Sequence, residues 1–220
     1  MEYFKWPSLL TDKMEKVEIV RIVNSIFDSN TYLIINSDCK ICFLIDCGDS
    51  SLIIDTINKR GLFLKGVFIT HSHFDHIYGL NAVIGEYPGI PIYVSTLGKE
   101  GLYSDKLNLS RYNLCPYVLQ RYDNIKELNE GDTIDLFGNI GIEVYETPGH
   151  DKSCLTYKFG NYLFTGDAFI PGLKVVATFP NSDKKEAELS RQRIISLSKN
   201  CGLYPGHGET YENFQPEVHL

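Results

Sequence analysis

The stretch Thr70-His71-Ser72-His73-Phe74-Asp75-His76 decides how the rest of this chain is read. It puts three imidazoles and a carboxylate within six positions, in a chain of 220 residues with only six histidines. His71 and His73 sit two apart, so in an extended segment both rings point to one side. Asp75 and His76 are adjacent, so their side chains diverge and can serve a second ion next door. Imidazole and carboxylate suit zinc and iron, and imidazoles with an open water position mark a catalytic metal site rather than a structural one. Residues 66–70 (Gly66-Val67-Phe68-Ile69-Thr70) predict a buried strand, and the donor run begins where that strand ends. A strand end is a rigid base for a reactive loop.

Moving outward, residues 17–24, 31–36 and 41–46 are β-branched, short and turn-bounded, and read as strands. Asn36-Ser37-Asp38 is the turn joining the last two. Asp49-Ser50-Ser51 offers caps for a helix with Leu52, Ile53, Thr56 and Ile57 on one face, closed by Gly61. A helix is expected from Asp75 to Ile84 and a short strand from Pro91 to Val94. Residues 104–124 have no clean period and read as a partly helical insertion bordering the site. Strand groups follow at 132–146 and 154–165. Residues 183–199 form an amphipathic helix carrying Leu189, Ile194, Ile195 and Leu197. With no linker between the halves, this alternation predicts two sheets faced by helices in one domain spanning residues 1–220.

Composition narrows the partners. Hydrophobic residues make up 43% of the chain, enough for a sizeable core. The net charge is −7 and no basic cluster could track a phosphate backbone, so nucleic acid is not the expected partner. The first residues lack a signal-peptide pattern, and no apolar run approaches the ~18 residues of a membrane span. A cytoplasmic protein acting on a small molecule, away from membranes, is the expectation. Cys39 and Cys42 form a C-x-x-C, but no second cysteine pair accompanies it and Cys42 falls in an apolar run. The six cysteines therefore read as reduced thiols.

Three later segments each end a strand on a metal donor. Thr147-Pro148-Gly149-His150 presents an imidazole on a tight loop, Phe164-Thr165-Gly166-Asp167 projects a carboxylate, and Tyr204-Pro205-Gly206-His207 repeats the Pro-Gly-His theme. Taken in order, H-x-H-x-D-H, T-P-G-H, T-G-D and P-G-H resemble the metallo-β-lactamase superfamily, and within it the glyoxalase II-like branch. Asn30-Thr31-Tyr32-Leu33-Ile34 and Leu44-Ile45-Asp46-Cys47-Gly48 are similar to the opening strands of that family.

The resemblance implies an α/β fold, a four-layer αββα sandwich with the site on one edge between the sheets. It implies two divalent metal ions, zinc with iron or manganese as alternatives. His71, His73 and His150 would hold one ion, Asp75, His76 and His207 the other, and Asp167 would bridge them. Asp46 would orient a ligand imidazole from behind, or else be a turn carboxylate. An aspartate rather than a cysteine at 167 points to the thioesterase- or lactonase-like side. The implied reaction is attack by a metal-bridging hydroxide on the carbonyl of a small ester, thioester or lactone, with Asp75 placed to move a proton. His207 lies too near the end of the 220 residues for the glutathione-binding helical domain of glyoxalase II proper. Lys174 is either a contact for an anionic substrate or a solvated loop lysine, and His219 reads as tail. A mononuclear iron dioxygenase acting on glutathione persulfide and a non-catalytic binding protein stay open beside the hydrolase. Oligomeric state is not legible.

Overall fold

The computed structural model describes residues 16–216 except Asn139. Six strands form one sheet in chain order: β1 (Val17–Val23), β2 (Asn30–Asn36), β3 (Ile41–Ile45), β4 (Phe63–Phe68), β5 (Ile92–Ser95) and β6 (Ile125–Leu128). The second sheet runs in the order β11-β10-β9-β8-β7, from β7 (Thr133–Asp135), β8 (Gly141–Glu146), β9 (Leu155–Phe159), β10 (Tyr162–Gly166) and β11 (Gly202–Pro205). The helices are α1 (Ser50–Arg60), α2 (Leu80–Glu86), α3 (Thr96–Leu102) and α4 (Lys184–Leu197).

Strand alternation sorts the apolar side chains into three cores, and the cores define four layers. On β2, Leu33 and Ile35 face α1 and α2, where they meet Ile53, Ile57, Leu80 and Val83. Tyr32 and Ile34 face the other way and pack with Val144, Tyr157, Phe159 and Phe164 of the second sheet. Leu163 and Leu203 then turn away from that interface toward Ile194 of α4. The expected αββα sandwich is the observed architecture.

Strand direction brings the carboxyl ends together. β3, β4, β5 and β6 run parallel to one another, and β8, β10 and β11 share a direction in the second sheet. The two edges are stitched by Leu155 N–H to Thr70 O (2.7 Å), Asn30 N–H to Gly206 O (2.7 Å), Tyr32 O–H to Pro205 O (2.6 Å) and Tyr157 O–H to Ile69 O (2.7 Å). Every one of these bonds lies within a few residues of a donor named above.

Several local expectations need correction. The helix expected over 75–84 is a 3-10 turn at Phe74–His76 followed by α2 from Leu80. The His76 carbonyl accepts Cys47 N–H (2.8 Å), and the Leu80 N–H closes a tighter turn onto Ile77 O (3.0 Å) instead of reaching back to His76. β4 ends at Phe68 because the Thr70 N–H goes to the Asp46 carboxylate (2.8 Å) instead of a sheet neighbour. The 104–124 segment holds only a 3-10 turn at Ser110–Tyr112. It does border the donor run, accepting Phe74 N–H at Asn108 O (2.8 Å). β6 was not anticipated. Asp49 occupies the N-cap of α1 but does not cap it; its carboxylate takes Ser25 and Tyr78 instead. All six cysteines are free thiols, Cys39 exposed and Cys42 buried. Among the described residues no helix is long and apolar enough to cross a membrane. His219 and the N-terminal residues read for a signal peptide lie outside the described residues.

Candidate metal centre

The loop after β4 delivers His71, His73, Asp75 and His76. Three strand ends of the other sheet deliver His150, Asp167 and His207. All seven meet at the rim between the sheets, together with Asp46 from the end of β3. Donor atoms of His71, His73 and His150, of His71, His76 and Asp167, and of Asp75, His76 and His207 each lie within 4.8 Å of one another. Asp167 stands between the groups: its Oδ2 is 3.5 Å from His150 Nε2 and 3.4 Å from His207 Nε2, and its Oδ1 is 3.4 Å from His76 Nε2. Gly206 makes this possible, because a Cβ there would stand 2.1 Å from Asp167 Oδ1. At Gly149, φ is +132° and a Cβ would strike the backbone of Ala187, so a side chain there would push His150 off the cluster.

Hydrogen bonds on the outer nitrogens fix which atoms face inward. His150 Nδ1 is 2.8 Å from Val176 O, and His207 Nδ1 is 3.0 Å from Phe27 O. A carbonyl only accepts, so both Nδ1 atoms carry hydrogen and both Nε2 atoms offer lone pairs when the rings are neutral. His76 Nδ1 lies 2.9 Å from Asp46 Oδ2, and that same oxygen accepts the Thr70 hydroxyl (2.8 Å). With its hydrogen committed there, Thr70 Oγ1 takes the Nδ1–H of His71 at 3.1 Å. One buried carboxylate thus orients two imidazoles, one directly and one through Thr70.

The interior that results asks for positive charge. His73 Nδ1 and His150 Nε2 approach to 2.9 Å, and His76 Nε2 and His207 Nε2 to 3.3 Å. Two lone pairs at such distances repel unless a cation or a proton lies between them. His71 Nε2 and Asp167 Oδ1 are buried with no hydrogen-bond partner, a costly state for polar atoms. Bonds of 2.0–2.1 Å to zinc set neighbouring donors roughly 3.3 Å apart in a tetrahedron; the Asp167 contacts with His76, His150 and His207 fall at 3.4–3.5 Å, while His73 and His150 approach to 2.9 Å and His71 stands 4.0 Å from Asp167. The seven residues fit divalent cations.

Titration tells the same story. Burial works against charge on His76, but Asp75, Asp167 and Asp46 surround it and hold its pKa well above that of a free imidazole. His207 resists burial in the same way and is pushed up to about 9 by Asp167 and Asp75. Burial would raise Asp75 and Asp167, yet His76 and His207 hold both carboxylates far below their usual range. His71 and His150 are driven down, chiefly by burial, and are neutral donors. The carboxylates around His76 and His207 thus favour positive charge at this end of the cluster.

Two further features surround the cluster. Asp151, which no motif marked, is buried next to His150 with Oδ2 3.6 Å from His73 Nε2. Only the fold, which carries residue 151 under the first loop, identifies it. Lys174 is exposed on the wall of a groove of about 810 Å³ between the segment after Asp167 and α4. It is not in contact with the seven donors. The same segment reaches the centre through Val176 O on His150 and the Phe179 ring 5.3 Å from His73.

Comparison with known proteins agrees with this geometry. A family model described as the metallo-beta-lactamase superfamily matches residues 25–207. A hydroxyacylglutathione hydrolase from Psychromonas ingrahamii is 25% identical, covering 90% of this chain and 68% of its own length. A protein named probable metallo-hydrolase from Streptococcus pyogenes serotype M6 is 30% identical, covering 87% and 84%. Among solved structures, the BLEG-1 B3 metallo-beta-lactamase superposes with a TM-score of 0.80 at 25% identity, covering 88% of this chain and 93% of its own. TTHA1623 in a di-iron-bound form does so with a TM-score of 0.74 at 26% identity, covering 88% and 94%.

Proposed function

The chain belongs to the metallo-beta-lactamase superfamily, and we propose that it is a hydrolase of a small ester, thioester or lactone that works with two divalent cations. The observation that carries this reading is the convergence of inward-facing lone pairs and ionised carboxylates from seven residues, with buried atoms left unpaired. His71, His73 and His150 would hold one cation, Asp75, His76 and His207 the other, with Asp167 shared. Bound cations would polarise a carbonyl and sharpen a water into an attacking nucleophile near neutral pH.

The chain's own groups do the rest. Asp46 and Thr70 keep two rings aimed, so little reorganisation is needed when charge develops. Asp75 would use the oxygen not engaged by the cation to take the proton of the attacking water and hand it to the leaving group as the bond to the carbonyl carbon breaks. Phe179, set against His73 and His150, narrows the access of bulk water to the first trio. Ser72, buried between ligands and bonded through its backbone, is not placed as a nucleophile.

The name of the hydroxyacylglutathione hydrolase relative supports the thioester among these substrates, and a di-iron-bound relative keeps iron beside zinc as the cation. The test is metal content measured together with turnover of a thioester and lactone panel. Two equivalents of metal and activity lost on chelation are expected. Full activity in metal-free protein would refute the reading, and oxygen consumption with a persulfide substrate on a single iron would replace it with a dioxygenase.

A further inference from the structure

The carboxylate of Asp151 stands to His73 much as that of Asp46 stands to His76. We propose that Asp151 is a positioning residue for the first trio: its Oδ2 stands opposite the Nε2–H of His73 and keeps aimed a ring whose Nδ1 faces His150 Nε2 inside the cluster. Given the metal-centre reading on which the proposal rests, His73 is then the odd one of the five imidazoles in the cluster. The other four are anchored at Nδ1 and present Nε2.

The geometry leads there stepwise. His73 Nδ1 faces His150 Nε2 at 2.9 Å, inside the cluster, and its Nε2 therefore points away. That Nε2 is buried and lacks a partner at ordinary hydrogen-bond distance, the Asp151 oxygen lying just beyond at 3.6 Å. The other Asp151 oxygen is occupied, accepting Ser153 N–H (2.8 Å) and the Ser153 hydroxyl (2.6 Å). Oδ2 is left for the imidazole. Ser153 is itself held: its Oγ accepts Ser72 N–H (3.4 Å) and its carbonyl accepts the Ser95 hydroxyl (2.8 Å). The carboxylate is thus tied to the backbone between His71 and His73, and it moves with the loop whose ring it faces.

The chemistry favours one tautomer. A carboxylate opposite Nε2–H is attractive, whereas opposite a bare Nε2 it would set lone pairs against each other in a buried site. The contact also gives a formal negative charge to a trio otherwise made of neutral rings. Carboxylates behind ligand imidazoles increase their donor strength.

Two experiments test the proposal. In Asp151→Asn the side-chain oxygen still accepts from Ser153, but the amide donates toward Nε2–H, donor against donor. Competition with a chromophoric chelator should show one of the two ions held about 10- to 100-fold more weakly, the other changed by less than about twofold. In the zinc-loaded wild-type protein, long-range proton–nitrogen spectra should place the His73 proton on Nε2 and those of His71, His76, His150 and His207 on Nδ1. Wild-type affinity for both ions in the variant, or a His73 proton on Nδ1, would overturn the proposal. If the variant does not fold, the wild-type His73 Nε2–H decides: a proton further downfield and slower to exchange than the carbonyl-bonded Nδ1–H of His150 and His207 is expected beside the carboxylate, and one that matches them would overturn the proposal. A wild-type chain that takes up no metal would instead bring down the metal-centre reading itself.

Discussion

The two sheets feed the cluster in opposite ways. The six-stranded sheet supplies four donors from one loop, His71 to His76, with Asp46 and Thr70 behind them. The five-stranded sheet supplies three, each from a separate strand end and each backed by a single carbonyl or a glycine contact. The first set is organised before any metal arrives, because a carboxylate network holds it. The second depends on the two sheets being docked. Cations binding across the rim should therefore act as fasteners between sheets as well as reagents, since a ligand that binds only the docked state stabilises that state.

The largest expected effect follows from removing that fastener. Complete chelation should abolish turnover and cost roughly 4 kcal/mol per ion, about 8 kcal/mol for the two, if each free ion stands at about 1,000 times its Kd. At 2–4 °C per kcal/mol, that is a fall in Tm of about 15–30 °C. Hydrogen exchange should accelerate most around Asp167 and His207 and least around Thr70. Equal acceleration on both sides would break the contrast.

Next come single donors. Asp167→Asn should lower turnover by roughly 10²–10³-fold or more by removing charge where it is shared, and leave fewer than two ions per chain. Asp46→Asn touches no metal donor position, yet it disturbs His76 directly and His71 through Thr70. Metal affinity should fall about 10- to 100-fold, for both ions rather than one. An Asp46→Asn protein that loses only the ion held by His76 would show that Thr70 does not relay its orientation.

The same contrast explains what the sequence made legible. Four donors packed into His71–His76 announce themselves, and the Pro-Gly-His and Thr-Gly-Asp turns are short enough to keep their spacing whatever lies between them. The resemblance they carried implied the four layers, which the three cores display. Asp151 stayed invisible because its partner is His73, brought beside it only by the docking of β9 against the first loop. β6 was missed because Ile-Lys-Glu-Leu on a sheet edge exposes its two charged residues and keeps only Leu128 buried. The helix expected over 75–84 failed for a related reason: Cys47, a distant residue, ties down the His76 carbonyl, and the chain there makes tight turns before the helix begins at Leu80. Local pattern picked out the donor residues that the fold brings together, and non-local hydrogen bonds set the path of the chain around them.

The smallest effects concern the stitches between sheets, and they separate local from shared support. Tyr157 O–H is the one hydrogen bond recorded for the Ile69 carbonyl among the described residues, just before the donor loop. Tyr157→Phe leaves that buried acceptor unpaired and should cost about 1–3 kcal/mol. Tyr32 O–H donates to Pro205 O, but the Asn30 side-chain amide donates to the same oxygen at 3.0 Å. Tyr32→Phe therefore leaves the acceptor partly satisfied, and a cost of about 0.5–1.5 kcal/mol is expected. Both rings stay buried in the intersheet core, so packing is unchanged and the difference isolates the hydroxyl. Denaturant melts of the two variants, with and without metal, give the comparison. If cations fasten the sheets, each loss should shrink in the loaded protein at the rim near Pro205, where the second sheet relies on them, and persist at Ile69, where the first sheet does not. A Tyr32→Phe cost that matched Tyr157→Phe and was indifferent to metal would mean that the rim is held by the protein alone.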